Sequence, residues 1–206
     1  MAKIRDRKKK IILAAACEVF AKQGYAGTKI ADIAQKAELP KPNIYYYFEN
    51  KEMLYRHVLD SFIQPLLLAS LPFDRYDDPA VALSDYIKIK IEISKNHPFA
   101  SKVFANEILR GAPHLPQDII EQLTAQTSAA KARLNYWIEQ GKMDAIDPLH
   151  LLFTLWATTQ TYADFDWQIK LHHNSEELSD DVYERATESL INLVLKGCGI
   201  KANSAE

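Results

Sequence analysis

Apolar residues recur at intervals of three and four along almost the whole chain, and strict alternation is scarce, so the pattern predicts helices rather than strands. Gly and Pro fall mainly between the periodic stretches. Over residues 5–23, Ile12, Ala15, Ala16, Val19 and Phe20 share one face, and Gly24 stops the helix. Thr28 is placed to cap a second helix carrying Ile30, Ile33, Ala34 and Ala37. The corner that follows reads ELPKPN. A residue before proline avoids the α region, which pushes Leu39 and Lys41 out of helix, whereas Pro42 suits a first helical position. A third helix therefore starts at Lys41 or Pro42 and ends near Tyr47. Asn50 caps a longer helix reaching toward Leu71.

The segment LPFDRYDDP reads as a connection. Beyond it the pattern predicts helices over about 80–96, 99–110, 116–141, 148–172 and 179–196, separated at GAP, Asp147-Pro148 and Ser179. The expected fold class is all-α with about nine helices. The split is a helix-turn-helix DNA-binding domain over residues 1–51 and a helical ligand-sensing and dimerisation domain over 52–206.

Charge sharpens this division. The net charge of the chain is -2, yet residues 1–51 hold eleven Lys and Arg against five Asp and Glu, and the remainder is acidic. A basic end on an acidic body suits an electrostatic contact with DNA at one end. Residues 1–10 alone read partly as a basic disordered leader, but the excess extends through Lys51. The basic, polar start gives no secretory signal, and no apolar run reaches membrane-span length. A cytoplasmic location is expected, with Cys17 and Cys198 reduced and Cys17 a core residue.

The chemistry of the basic end follows from the corner. Lys41 and Asn43 fall at the start of the third helix, the end that meets base edges when such a helix enters the major groove. Asn pairs with adenine and Lys reaches guanine acceptors. Ile44 and Phe48, four apart, dock the helix, which turns Tyr45 and Tyr46 elsewhere, toward phosphate, sugar or thymine methyl. Thr28 with Lys29, and Lys51, stand at helix starts suited to phosphate.

These residues carry a resemblance. The runs Gly24-Tyr25-Ala26-Gly27-Thr28, Ile33-Ala34, Asn43-Ile44-Tyr45-Tyr46-Tyr47-Phe48 and Lys51-Glu52 resemble the DNA-binding domain of the TetR family of one-component regulators. The resemblance implies base and phosphate contacts at Lys41, Pro42, Asn43, Tyr45 and Tyr46, and phosphate contacts at Thr28 and Lys51. Two departures stand out: Pro40 replaces a common Ser cap, and Ala31 replaces a longer side chain that often reaches a base. Readout is thus expected to lean on the third helix.

The resemblance also implies a ligand-binding, two-fold dimeric body, with the dimer built from the last two long helices and a palindromic operator. Leu178, Val182, Ala186, Leu190, Leu193 and Val194 give an apolar stripe for that packing. The stretch LLFTLWATTQTYADF is apolar enough to be buried but carries many polar groups, and buried polar groups need partners. Phe153, Trp156 and Gln160 share a face there, so a ring could be stacked and its edge hydrogen-bonded. Tyr86 and Lys90 on an earlier helix, and Phe104 and Glu107 on the next, complete the candidate ligand residues.

Segments over most of residues 84–170 further resemble the sensor domain of a pyrimidine-utilisation regulator within that family. This implies an effector such as uracil or thymine, whose binding releases a repressor from DNA, with the helix from Lys51 toward Leu71 as the lever. Other effectors remain open.

Two other classes, an enzyme and a DNA-packaging protein, fit the chain less well. An enzyme would need a catalytic or metal-binding pattern, but the six histidines show no HExxH spacing, and neither a phosphate loop nor GxSxG is present. No catalytic residue, metal or cofactor is therefore expected. A sequence-independent DNA-packaging protein would have little use for a large acidic, Trp-containing body.

Overall fold

The computed structural model describes residues 2–200, with side chains from Arg5 onward. Eleven helices and no strand occur among the described residues, and they group into two compact units.

One unit combines the chain up to Gln64 with Phe99–Pro116. It contains α1 (Ala2–Gly27), α2 (Ile30–Lys36), α3 (Lys41–Tyr47), most of α4 (Lys51–Ala69) and nearly all of α7 (Pro98–Leu109). Helix α1 packs on α2, and α2 on α3. The apolar face expected of α1 is buried, with Ile12 and Ala16 fully enclosed and Phe20 meeting Tyr55 edge-on at 4.9 Å. Ile33, Ile44, Leu54, Leu59 and Phe62 complete this core.

Three local details differ from the sequence reading. Helix α1 begins at Ala2, so the expected basic leader is helical, and only its Met1 lies outside the described residues. Helicity also continues past Gln23 to Gly27, across a kink where Gly24 takes φ 69°. At that kink the Gly24 carbonyl accepts the Thr28 hydroxyl at 2.7 Å and the Thr28 N–H at 3.3 Å. Thr28 is therefore not the cap of α2. That place falls to Lys29, whose N–H donates to the Asp32 carboxylate at 3.3 Å.

The second unit holds Pro65–Pro98 and the chain from Gln117 onward. It contains α5 (Leu71–Arg75), α6 (Pro79–Asn96), α8 (Gln117–Glu139), α9 (Pro148–Asp164), α10 (Asp166–His173) and α11 (Asp180–Gly197). Helix α6 lies at its centre, packed by α5, α9 and α11. Its burial pattern is broad, and Ala82, Leu83, Ile87 and Ile91 are enclosed. The carboxylate of Asp147 accepts from the N–H groups of Leu149 and His150, fixing the start of α9 as its Asp-Pro sequence predicts.

Two short helices were not expected. Helix α5 forms within the segment read as a connection because Pro72 fits a helix start and Phe73 has a core to enter. The long helix expected over 148–172 is broken at Phe165, which leaves α-helical geometry at ψ 30° and separates α9 from α10.

Candidate DNA-binding face and ligand site

The corner between α2 and α3 is a Schellman ending. Glu38 adopts the left-handed conformation at φ 54°, and the N–H of Leu39 bonds back to the carbonyl of Ala34 at 3.0 Å. Pro40 then precedes α3, which starts at Lys41. The Pro40 carbonyl accepts the N–H of Asn43 at 2.8 Å, while the ring offers no capping side chain.

Helix α3 is two-sided. Ile44 and Phe48 are buried, and Lys9 lays its ammonium 5.8 Å from the centre of the Phe48 ring. Lys41, Pro42, Tyr45 and Tyr46 are exposed, Tyr46 at 72 %, and Asn43 is half-buried. The Lys41 ammonium stands 5.8 Å from the Tyr45 ring, and Tyr46 meets Tyr47 edge-on at 5.1 Å. Lys29 is exposed nearby in sequence, at the start of α2.

Thr28 and Lys51 are engaged differently. Thr28 is buried, with its hydroxyl committed to Gly24. The Lys51 ammonium donates to the carbonyls of Tyr25 and Thr28 at 2.8 and 3.0 Å, and sits 4.5 Å from the Tyr25 ring centre. It ties the start of α4 to the corner after α1. Asn50 caps α4 by accepting the N–H of Met53, as the sequence predicts.

A polar cluster in the same unit escaped the sequence reading. Glu107 is buried, and its carboxylate accepts from the Tyr55 hydroxyl at 3.0 Å and from the backbone N–H of His114 at 2.6 Å. The His114 ring lies 4.2 Å from Tyr25 and 5.2 Å from Tyr55. Burial, and then the neighbouring Glu107 carboxylate, push the Tyr55 hydroxyl well above its ordinary pKa. Phe104, one turn before Glu107, packs against Phe62 at 5.5 Å. These two residues of the expected ligand set are thus engaged within the first unit. No sequence signal links Tyr25, Tyr55 and His114, which lie far apart along the chain.

The other expected ligand residues lie in the second unit. Tyr86 and Lys90 are buried on α6, and Trp156 of α9 donates its indole N–H to the Tyr86 hydroxyl at 2.9 Å. Burial pushes the Lys90 ammonium down to about 8, against an opposing influence of the Asp164 carboxylate. Ser94 donates to the Thr159 carbonyl at 2.9 Å, joining α6 to α9 one turn further on. Gln160 is half-buried on α9. Phe153 is exposed and lies 5.5 Å from Trp156. Phe73 stands 5.0 Å from Tyr86 and 6.1 Å from Trp137, which extends the aromatic wall. Trp137 is fully enclosed, and its indole N–H has no hydrogen-bond partner. An open groove of about 440 Å³ runs along α6, lined by Lys88, Ile89, Glu92, Ile93, Asn96 and His97, and includes none of the expected ligand residues.

Among the described residues no group of His, Cys, Asp or Glu is arranged to hold a metal ion, and no helix is long and apolar enough to cross a membrane. Cys17 is half-buried, and burial pushes its thiol up to about 12, so thiolate chemistry is suppressed there.

Comparison with known proteins places these features. Residues 12–58 match the family model described as bacterial regulatory proteins, tetR family, and residues 59–201 match that of the YcdC-like protein C-terminal region. The chain is 36 % identical over 194 residues to the HTH-type transcriptional regulator RutR of Escherichia coli, covering 92 % of this chain and 90 % of that protein. It is 33 % identical over 141 residues to the HTH-type transcriptional repressor NicS of Pseudomonas putida, covering 66 % of this chain and 64 % of that one. The ketosteroid transcriptional regulator KstR2 of Mycobacterium tuberculosis has a similar structure, with a TM-score of 0.75 at 20 % identity, covering 94 % of this chain and 95 % of that one.

Proposed function

Because the chain belongs to the TetR family of bacterial transcriptional regulators and is a homologue of RutR, we propose that it is a repressor released from a palindromic operator by uracil or a related pyrimidine. One observation carries the DNA half of the reading: α3 buries Ile44 and Phe48 and leaves Lys41, Pro42, Tyr45 and Tyr46 exposed. A short helix anchored on one side and polar on the other has the form of a major-groove reader. Lys41 and Asn43 supply base-edge hydrogen bonds, and the two tyrosines supply phosphate or sugar contacts.

Residues 52–206 act in this reading as the sensing and dimerisation domain. The pairing surface is taken from α9, α10 and α11; of the expected stripe, Leu190 and Val194 are already buried within the chain, while Leu193 is 68 % exposed and Val182 and Ala186 are half-buried. A two-fold dimer presents two copies of α3 to half-sites one duplex turn or a multiple apart.

The effector reading rests on α6 and α9. Trp156 and Tyr86 offer ring faces, Gln160 offers both a donor and an acceptor, and Lys90 offers a buried donor. A flat pyrimidine with alternating edge groups suits that set, and the likeness of this region to a pyrimidine-utilisation regulator supports it. The effector must bind the released state more tightly, and a coupling of about 1–3 kcal/mol changes operator affinity roughly 5- to 150-fold.

Selection of bound duplexes from a random pool, with and without uracil and thymine, tests both halves. The expected result is a shared palindrome whose recovery falls when the effector is added. Recovered sequences without a common motif would overturn the DNA reading. Calorimetry giving no heat with uracil, thymine or their reduction products would overturn the effector reading.

A further inference from the structure

The first turns of α1 carry a concentration of charge that folding alone does not explain. Residues 5–10 read Arg-Asp-Arg-Lys-Lys-Lys, so five cations share six positions with one acid. No acid stands in the first turn of α1. None of the five cations forms an ion pair among the described residues, and all are exposed or half-buried. Arg5 with Lys8 and Arg5 with Lys9 are three and four apart, so like charges stack along one face. Like-charge pairs at these spacings destabilise a helix.

The placement is specific. Lys9 lays its ammonium 5.8 Å from the Phe48 ring, and Phe48 caps the end of α3. Lys9 therefore stands beside the end of the helix whose opposite end carries Lys41 and Asn43, and Arg5 and Lys8 share its face of α1 by helical spacing.

We propose that Arg5, Lys8 and Lys9 form a second duplex contact, gripping the sugar–phosphate backbone beside the segment read by α3. This rests on the DNA-binding reading above. The partner is double-stranded DNA because the stripe adjoins the recognition helix within one compact unit, and a polyanion removes the repulsion among the three cations. Backbone contacts of this kind add affinity and register without base preference. They would compensate for the base contact lacking at Ala31, which is exposed on α2 but too short to reach far.

The test is the full chain carrying Arg5→Gln, Lys8→Gln and Lys9→Gln together, measured on a selected operator between 50 and 200 mM salt. Glutamine keeps the helix propensity, and circular dichroism verifies that the helix content is retained. Each lost contact is expected to flatten the slope of log affinity against log salt by about 0.9. For three contacts per subunit, six on a dimer, the slope should flatten by about 5, so the variant would lose on the order of 1,000-fold less affinity than the parent over that range. Operator mismatches should rank in the same order in both proteins. The variant should also melt at a higher temperature without DNA. An unchanged slope with unchanged affinity overturns the inference, and so does transfer of the effect to anionic phosphatidylserine vesicles with none on DNA. Failure of the parent itself to bind any duplex specifically would instead refute the underlying DNA reading.

Discussion

Lys51 reaches back to Tyr25, donating its ammonium to the carbonyl at 2.8 Å while resting 4.5 Å from the ring centre. A second bond to the Thr28 carbonyl makes the lysine a clasp between the start of α4 and the corner that follows α1. Removing the ammonium in Lys51→Met leaves two carbonyls short of a donor. We expect a loss of about 1.5–3 kcal/mol in chemical denaturation, the range for bonds involving a charged group. A stability change within about 0.5 kcal/mol, the size of an ordinary surface substitution, would show that the clasp contributes nothing.

Glu38 sits at φ 54° in the turn before α3. An L-residue with a side chain is strained there by roughly 1–2 kcal/mol, and glycine is not. Glu38→Gly should therefore raise the midpoint of denaturation, by about 1 kcal/mol after the extra freedom glycine gives the unfolded chain. Operator affinity should stay close to the parent value. A destabilised variant would show that the Glu38 side chain contributes more than its strain costs.

Lys90 makes a pH prediction. Its folded pKa is about 8, below the ordinary 10.5. Between those values the unfolded chain binds the additional proton, so the burial penalty is fully present below pH 8 and fades as pH rises toward 10.5. Lys90→Met should stabilise the protein at pH 7 by roughly 2–3 kcal/mol and show a shrinking advantage on titration to pH 10. A gap independent of pH would mean that the ammonium is not the source. The same variant should lose effector binding if Lys90 donates to the ligand.

In the effector reading proposed above, Gln160 and Trp156 separate ligand recognition from packing. Gln160→Leu keeps the size of a half-buried side chain but removes both hydrogen-bonding groups. Effector affinity should fall at least about tenfold, as loss of one or two hydrogen bonds implies, with operator affinity unchanged. Trp156→Phe removes the donor to Tyr86 and costs about 1 kcal/mol of stability. Titration calorimetry beside a salt-matched DNA assay reads both effects.

Tyr55→Phe tests the buried carboxylate. Glu107 would keep the His114 N–H but lose the hydroxyl 3.0 Å away. The expected cost is about 1–3 kcal/mol, read by thermal or urea unfolding. No change would indicate that the carboxylate is satisfied without Tyr55.

What was legible in the sequence was local. Asn50 and Asp147 cap their helices through atoms two or three residues away, and the Pro40 and Pro42 pair sets the start of α3 at Lys41. The sidedness of α3 followed from the four-residue spacing of Ile44 and Phe48. Thr28 misled because its hydroxyl looked like a helix cap, whereas the kink at Gly24 offers it a closer carbonyl. The α9–α10 break was hidden because Phe165 carries no helix-breaking signature, and α5 because LPFDR is too short for periodicity to show. Lys51 and Glu107 find partners 26 and 52 residues away, and no pattern within a helix predicts such a pairing.

The seven residues of α3 divide their duties by position. Substitutions at 44 would be paid for in folding, whereas those at 41, 43, 45 and 46 fall on side chains the core does not enclose. In the DNA reading proposed above, the address of this helix can therefore be rewritten in small steps, each leaving the protein intact enough to try the next. A lineage built this way can acquire new target promoters without first acquiring spare stability.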